Sequence, residues 1–228
     1  EAGRKHQMFN LSKFFRTELL NLMNRSKKFL SKVMIDLINH NVEIQLIQDE
    51  RLRVVENGNE IFLKGFFNTD KKLQFAIAMK NKFWLTTLIH EYCHFKQLIE
   101  KDPCFYKNSK EVDLFYNWIE DHTIEIDEET IEIGVNSIFE IELNCEKRAV
   151  EMILKEKLPI NILEYIQKAN AYFMFHSFMK KYRTWGNSIS TDEVPEIWQS
   201  MPTTFFSKLP KLNKSSEKKM LKFCYSDL

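Results

Sequence analysis

The sequence is poor in the residues that punctuate short-stranded folds: it has 5 Gly and 5 Pro in 228 residues. So few chain breakers exclude a loop-rich or repeat-built β protein and favour long helices. Cysteine is sparse too. The thiols Cys93, Cys104, Cys145 and Cys224 show no C-x-x-C pairing and no regular spacing. That excludes a disulfide framework and points to a reducing compartment, the cytoplasm. Neither sign of charge is in excess: with 33 Lys+Arg against 32 Asp+Glu the net charge is +1. The chain therefore carries no electrostatic footprint for nucleic acid. No apolar run is long enough to cross a bilayer, and no basic-then-apolar segment opens the chain, so no membrane partner is expected. Internal repeats and low-complexity tracts are missing as well. The first residues, Glu1-Ala2-Gly3-Arg4, carry no structural expectation.

What is present is apolar material for a sizeable core, 44% hydrophobic and 13% aromatic residues. Apolar residues recur at helical spacing over about 8–38 (Phe14, Leu19, Leu22, Met23, Phe29, Leu30, Val33, Leu37), as one long helix or two abutting ones. Residues 42–47 then alternate with period two, and 51–55 continue the pattern. After the turn signal Glu56-Asn57-Gly58-Asn59, residues 61–67 and 73–79 are further strand candidates, split by Asn68-Thr69-Asp70. Together they predict a small antiparallel meander of three or four strands. Helical period returns over about 82–100. Residues 101–128 read as irregular and acidic, with a short helix near 112–119. A strong helix follows over about 129–157 and stops at Pro159; Asn161-x-x-Glu164 is a capping box for a third, reaching Trp185. Past Gly186 the chain loosens around Pro195, Pro202 and Pro210, and 215–224 suits a short terminal helix. The expected class is α+β, mainly helical, in a single domain over 1–228. Its parts are an N-terminal helical region (8–40), the sheet and catalytic helices (41–157) and a C-terminal helical extension (158–228).

The segment that carries chemistry is His90-Glu91-Tyr92-Cys93-His94. At 100° per residue, Leu85, Leu88, Tyr92, Phe95 and Ile99 form one stripe, the core-facing side of the 82–100 helix. His90 and His94 lie one turn apart on a different face, beside Glu91, Thr87 and Gln97. Two imidazoles at i and i+4 can converge on one tetrahedral ion, and the Glu after the first His can take a proton from an activated water. The ordinary alternative is a solvated polar face. A third ligand is needed. The metzincin extension would place Gly at 97 and His at 100, where this chain has Gln97 and Glu100. With no glycine to bend the helix, Glu100 lies about 9 Å further along the axis, off the His face. In the later helix, Phe139, Leu143, Val150 and Ile153 form an apolar stripe with Glu146 near its centre and Glu142 one turn earlier. A carboxylate on a buried face needs a cation or strong donors. Glu146 is therefore the expected third ligand, with Glu142 the alternative and a buried ion pair the plainer possibility. Glu146-Lys147-Arg148-Ala149 gives a Glu-x-x-Ala pattern, a small residue following where helices pack closely.

These two segments, His90–His94 and Cys145–Glu151, resemble the gluzincin arrangement of zinc metallopeptidases, in which a Glu from a second helix completes a His-His-Glu site. The nearest patterns are the SprT-like and ImmA/IrrE-like proteins and the Glu-x-x-Ala of HtpX-like peptidases, and the style also resembles small phage-encoded metallopeptidases. Residues 60 to 155 carry the resemblance. One departure stands out: gluzincins often place an Asp four residues after the ligand Glu to orient the first His, and here that position is Val150. The resemblance implies Zn2+ as cofactor, Glu91 as general base, and a peptide or protein substrate paired as an added strand along 73–79. It also implies a Tyr, His or Arg that stabilises the oxyanion, for which Tyr172, His176 and Tyr182 on the third helix are candidates, each equally able to be a core residue. His6, His40 and His122 receive no role. The rival class is a catalytically silent, zinc-stabilised binding or structural protein.

Overall fold

The computed structural model describes residues 24–56, 59–77, 83–185 and 191–224. Helix α1 (Asn24–Asn39) buries Phe29, Leu30, Val33 and Leu37, one face of the expected periodicity. The helix expected over 8–23 lies outside the described residues. Past α1, Asn41 takes a left-handed backbone (φ 57) and the chain enters β1 (Glu43–Ile47). Strands β2 (Leu52–Glu56) and β3 (Asn59–Leu63) then pair as an antiparallel hairpin, with Glu56 facing Asn59 across the predicted turn.

The expected antiparallel meander is corrected at this point. Strands β4 (Gly65–Phe67) and β5 (Lys72–Ala76) join β1 in a mixed three-stranded sheet of order β1-β5-β4, with the β2–β3 hairpin outside it. β5 is central, parallel to β1 and antiparallel to β4. Period-two alternation identifies strands but not their partners. A parallel pair needs a crossover, and the hairpin with β4 supplies it. The run expected over 61–67 is broken at Lys64, whose carbonyl accepts the Ala76 amide at 2.9 Å, so its two halves join different sheets.

Helix α2 (Phe83–Ile99) lies on this sheet and buries Leu85, Leu88, Tyr92 and Phe95 as its stripe predicts. The stretch over 101–128, expected to be irregular apart from a short helix near 112–119, carries the short α3 (Pro103–Tyr106) and then α4 (Ser109–Glu120), which contains the expected helix. α4 buries Phe115 and Ile119. Asp127 caps α5 (Glu128–Lys155) by accepting the Thr130 amide at 2.8 Å. Gly134 lets α4 and α5 touch: a Cβ there would lie 2.6 Å from the Glu111 carbonyl oxygen. Asn161 caps α6 (Ile162–Tyr182) through the amides of Leu163 and Glu164, but Glu164 turns to Lys168, leaving half of the capping box. α6 ends at Tyr182 rather than Trp185. Arg183 there adopts φ 50 and donates to the carbonyls of Trp118, Asp121 and Ile124, pinning the link before α5. The short α7 (Pro195–Trp198) and α8 (Lys214–Cys224) pack on α6 through Ile197, Phe178 and Met220. The main core joins α1, the sheet, α2 and the end of α5 through Phe29, Leu37, Leu73, Phe75, Leu88 and Ile153. Among the described residues no helix is long and apolar enough to cross a membrane.

Candidate metal centre

With the core stripe of α2 committed to the sheet, the face carrying His90 and His94 is left for α5. The two helices run antiparallel: His90 meets Glu146, His94 meets Glu142, and Gln97 meets Ile141. The imidazoles sit edge to face (88° between planes), with their Nε2 atoms 3.1 Å apart. The Glu142 carboxylate faces both, Oε2 at 3.6 Å from His90 Nε2 and Oε1 at 3.5 Å from His94 Nε2. Behind the rings, Glu146 Oε1 lies 3.1 Å from His90 Nδ1, and Gln97 Oε1 lies 2.8 Å from His94 Nδ1.

Both acids singled out from the sequence thus reach the centre, in exchanged positions. Glu146, the expected third ligand, is behind His90; Glu142, the alternative, is in front of both rings. An apolar stripe shows which side of a helix is buried but not which turn meets a given partner, and residues four apart share that side. Glu100 is held by Arg148 at 2.6 Å, away from the histidines.

His90, His94 and Cys145 also form a group whose donor atoms all lie within 4.8 Å of one another, a set that could hold a metal ion. Cys145 is nevertheless the weaker third donor. Its Sγ donates to the His90 carbonyl at 3.3 Å and lies 3.7 Å from Nδ1, on the Glu146 side of the ring. Burial, helped by Cys93 and the two acids, raises its thiol well above 9.0 in the metal-free centre. The Glu142 side fits a cation better. Glu142 Oε2 and Glu146 Oε2 are both buried with no hydrogen-bond partner, a costly state for a carboxylate unless a cation completes it, and of the two acids Glu142 is the one that faces both Nε2 atoms. Two nitrogens on a tetrahedral zinc ion at about 2.0–2.1 Å would stand about 3.4 Å apart, close to the 3.1 Å found here.

The charges of the centre are strongly coupled. Burial pulls His90 and His94 down, but the carboxylates outweigh it, Glu146 foremost for His90 and Glu142 for His94, and both imidazoles end above the ordinary 6.5. Burial pushes Glu142 up, but His94, then His90 and His176 hold its carboxyl down at about 2. Glu91 is 7% exposed. Burial raises its carboxyl, against the two histidines and the Phe67 amide that it accepts.

That amide belongs to β4, and Gly65 explains how the strand comes so close. A Cβ on Gly65 would lie 2.5 Å from Thr87 Cγ2 and 3.0 Å from Glu91 Cγ. The strand expected beside the active helix for substrate pairing was 73–79. Both edges of β5 (Lys72–Ala76) are already paired, so that strand offers no free edge; the edge strands of the sheet are β1 and β4, and β4 is the one whose Phe67 amide meets Glu91. Asn68 and Lys64 bond inward to Lys72 and Ala76. By ladder alternation the backbone groups of Gly65 and Phe67 therefore point outward.

Of the third-helix candidates, Tyr172 and His176 lie within the electrostatic influence of Glu142, whereas Tyr182 is engaged elsewhere. Burial, with Glu142 the first of the charges beside it, raises the Tyr172 hydroxyl well above 10.0. His176, 1% exposed, packs edge to face on Tyr172 at 4.5 Å, and its buried Nδ1 has no partner. Burial lowers it to about 4 despite Glu142. Tyr182 instead donates to Glu217 at 2.5 Å. Ten residues beyond Tyr172 it lies about 15 Å along the axis and roughly 80° around it. His40 packs on Phe95 with Nδ1 on the Asp36 carbonyl, His122 is exposed, and His6 lies outside the described residues. Sequence reasoning missed Tyr116 of α4 and Tyr165 of α6. Burial raises both hydroxyls, followed by Glu142 for Tyr116 and Glu146 for Tyr165. No family model, curated protein or solved structure matches this chain.

Proposed function

We propose that this chain is a zinc-dependent peptidase in which His90, His94 and Glu142 hold the metal and Glu91 is the general base. The observation that carries the reading is the front of the centre: two Nε2 atoms 3.1 Å apart, with the Glu142 carboxylate within 3.6 Å of both. With Glu142 as ligand, the residue four positions on is Glu146, which meets His90 Nδ1 at 3.1 Å. A carboxylate then stands four residues after the ligand, as in the gluzincin pattern though as Glu rather than Asp, while the Glu-x-x-Ala match of Glu146 is given up for Glu-x-x-Cys. Helix α2 beside an edge strand, with the acid from a second helix, supports a zincin-like packing.

Bound there, zinc supplies the Lewis acidity that makes water a nucleophile near neutral pH. Glu91 takes the proton of that water and passes it to the leaving amine. Its raised carboxyl suits a group that must both accept and return a proton. Glu146 and Gln97 hold the rings so that both Nε2 lone pairs face forward. An extended peptide lies against the outer edge of β4, pairing with Gly65. The protonated Tyr172 hydroxyl, backed by His176, donates to the oxyanion. The reduced thiols Cys93, Cys104 and Cys145 suit a cytoplasmic enzyme.

One observation favours a second reading, a zinc-stapled binding protein: the side chains of His94 and Glu142 are each only 12% exposed, and structural zinc sites are closed. Glu91→Gln separates the two. Purified protein assayed for zinc by mass spectrometry and for hydrolysis of a fluorogenic peptide library should contain stoichiometric metal. In the variant, turnover should fall about 10²–10⁴-fold with zinc retained. Zinc without hydrolysis in the wild type would establish the structural reading. Protein without zinc, and unchanged metal content in His90→Ala, would refute both.

A further inference from the structure

Gln97 is fully buried, 0% exposed, on the turn after His94. Its amide orientation follows from its neighbours. The nitrogen meets the Ile141 carbonyl oxygen at 2.9 Å, a group that can only accept. It also meets Asn144 Oδ1 at 2.9 Å, and that oxygen is itself fixed because Arg148 Nε, which can only donate, points at it from 2.8 Å. Gln97 Oε1 is therefore the atom facing His94 Nδ1 at 2.8 Å, and that nitrogen must carry the proton. Arg148 is anchored in turn by Glu100 and Asp102, each at 2.6 Å. A chain of fixed donors and acceptors thus runs from a partly exposed ion pair to the back of one imidazole, through side chains of both helices.

We propose that Gln97 is a positioning residue that locks His94 in the Nδ1–H tautomer with its Nε2 lone pair forward, and that Asn144 and the Arg148–Glu100–Asp102 cluster hold Gln97 in the orientation this needs. The inference rests on the zinc reading, and it assigns the back of His94 as that reading assigns Glu146 to the back of His90. The arrangement is asymmetric: His90 has a carboxylate behind it and His94 a neutral amide. Gln97 thus fixes geometry without adding negative charge to a centre that already holds Glu91, Glu142 and Glu146.

The test uses Gln97→Met, which keeps volume and removes both hydrogen-bonding ends, in full-length protein labelled with ¹⁵N-histidine. Zinc affinity, measured by competition with a chromophoric chelator, should weaken by about 10–100-fold, the usual effect of removing a partner behind a ligand histidine. The slowly exchanging His94 Nδ1–H signal of the wild type should vanish, a change that a purely structural role would not produce. Arg148→Met, on the partly exposed end, should weaken zinc in the same direction, and Lys147→Met, its exposed neighbour, should not. Unchanged affinity with a retained Nδ1–H signal in Gln97→Met would overturn the proposal. Should that variant fail to fold, an unchanged affinity in Arg148→Met would do the same. If the wild type binds no zinc the peptidase reading falls, and the ¹⁵N shifts of the metal-free protein, read at alkaline pH where His94 is neutral, still decide whether Gln97 fixes the tautomer: Nδ1–H with a bare Nε2 in the wild type, lost in Gln97→Met, supports it, and the same tautomer in both overturns it.

Discussion

Glu142→Gln and Glu146→Gln remove the same charge from adjacent turns of α5, so a difference between them reports position alone. Glu142 lies 3.5–3.6 Å in front of both Nε2 atoms. Taking away one charged partner of a buried set costs about 3–5 kcal/mol, or about two to four orders of magnitude in zinc Kd. Glu146 lies behind His90, and the amide of Gln in its place still offers an oxygen to Nδ1. Its loss should cost about 10–100-fold, or about 1.4–2.7 kcal/mol. Cys145→Ser completes the comparison. A neutral thiol behind the ring contributes packing and one weak hydrogen bond, so affinity should change by less than about tenfold. Chelator competition near neutral pH measures all three. Thermal melts of the metal-free forms guard against misfolding. Glu146→Gln losing zinc as completely as Glu142→Gln would refute the front-and-back assignment and return Glu146 to the ligand set; a comparable loss in Cys145→Ser would bring in the thiol instead.

Metal-free protein should show a pH optimum of stability. Glu142, depressed from 4.5 to about 2, contributes stability that is full above 4.5 and lost as pH falls toward 2. His90 and His94, raised from 6.5, contribute stability that is full below 6.5 and lost as pH rises through their folded values. These three groups favour folding most between about 4.5 and 6.5. His176, lowered to about 4, works against them as pH falls below 6.5. In chelated His176→Phe protein, which lacks that opposing group, the melting temperature should therefore be highest inside this window; a melting temperature climbing steadily past it would contradict the coupling. Gly65→Ala sets a methyl 2.5 Å from Thr87 Cγ2 and 3.0 Å from Glu91 Cγ. Overpacking of that kind costs about 1–3 kcal/mol in a denaturant titration, and peptide turnover should fall as β4 moves off α2. Tyr172→Phe should lower kcat by about 10²–10³-fold with zinc intact. Tyr182→Phe should leave turnover alone and cost about 0.5–1.5 kcal/mol through its lost bond to Glu217; equal kcat losses in the two would remove Tyr172 from the oxyanion role.

Local periodicity carried much of this structure. The stripe Leu85, Leu88, Tyr92, Phe95 separates the core side of α2 from its histidine side, and that much is legible at 100° per residue. The sheet order was not legible. The β1–β5 pairing joins residues about thirty positions apart, such as Gln45 and Gln74, and strand alternation holds no record of partner or direction. The short helix near 112–119 was legible, whereas its start at Ser109 and the turn α3 before it were not, since Pro103, Lys107 and Asn108 are residues that also suit a loop. Gln97 stood beside the histidines in the sequence as a residue without a role; its signal, a polar side chain wholly enclosed, exists only once α5 covers it. Tyr165 and Tyr116 carried no signal, since aromatics at helical spacing are ordinary core residues.

The placement of Glu142 and Glu146 has a geometric reason. His90 and His94 are four residues apart, as are Glu142 and Glu146, and four residues of helix rise about 6 Å. On antiparallel helices these two pairs of equal pitch can mesh in few registers. In the register observed, one carboxylate faces both Nε2 atoms while the other lies a turn further on, against His90 Nδ1. Sliding α5 by one turn would bring Glu146 to the front and Val150 to the back. A buried imidazole N–H would then face an apolar side chain, which costs about 1–3 kcal/mol for the unmade bond. Only one of the two registers satisfies both histidines. Val150, an apparent defect when Glu146 is taken as the ligand, thus disfavours that register, and under the proposed assignment the carboxylate behind His90 is Glu146, one turn earlier.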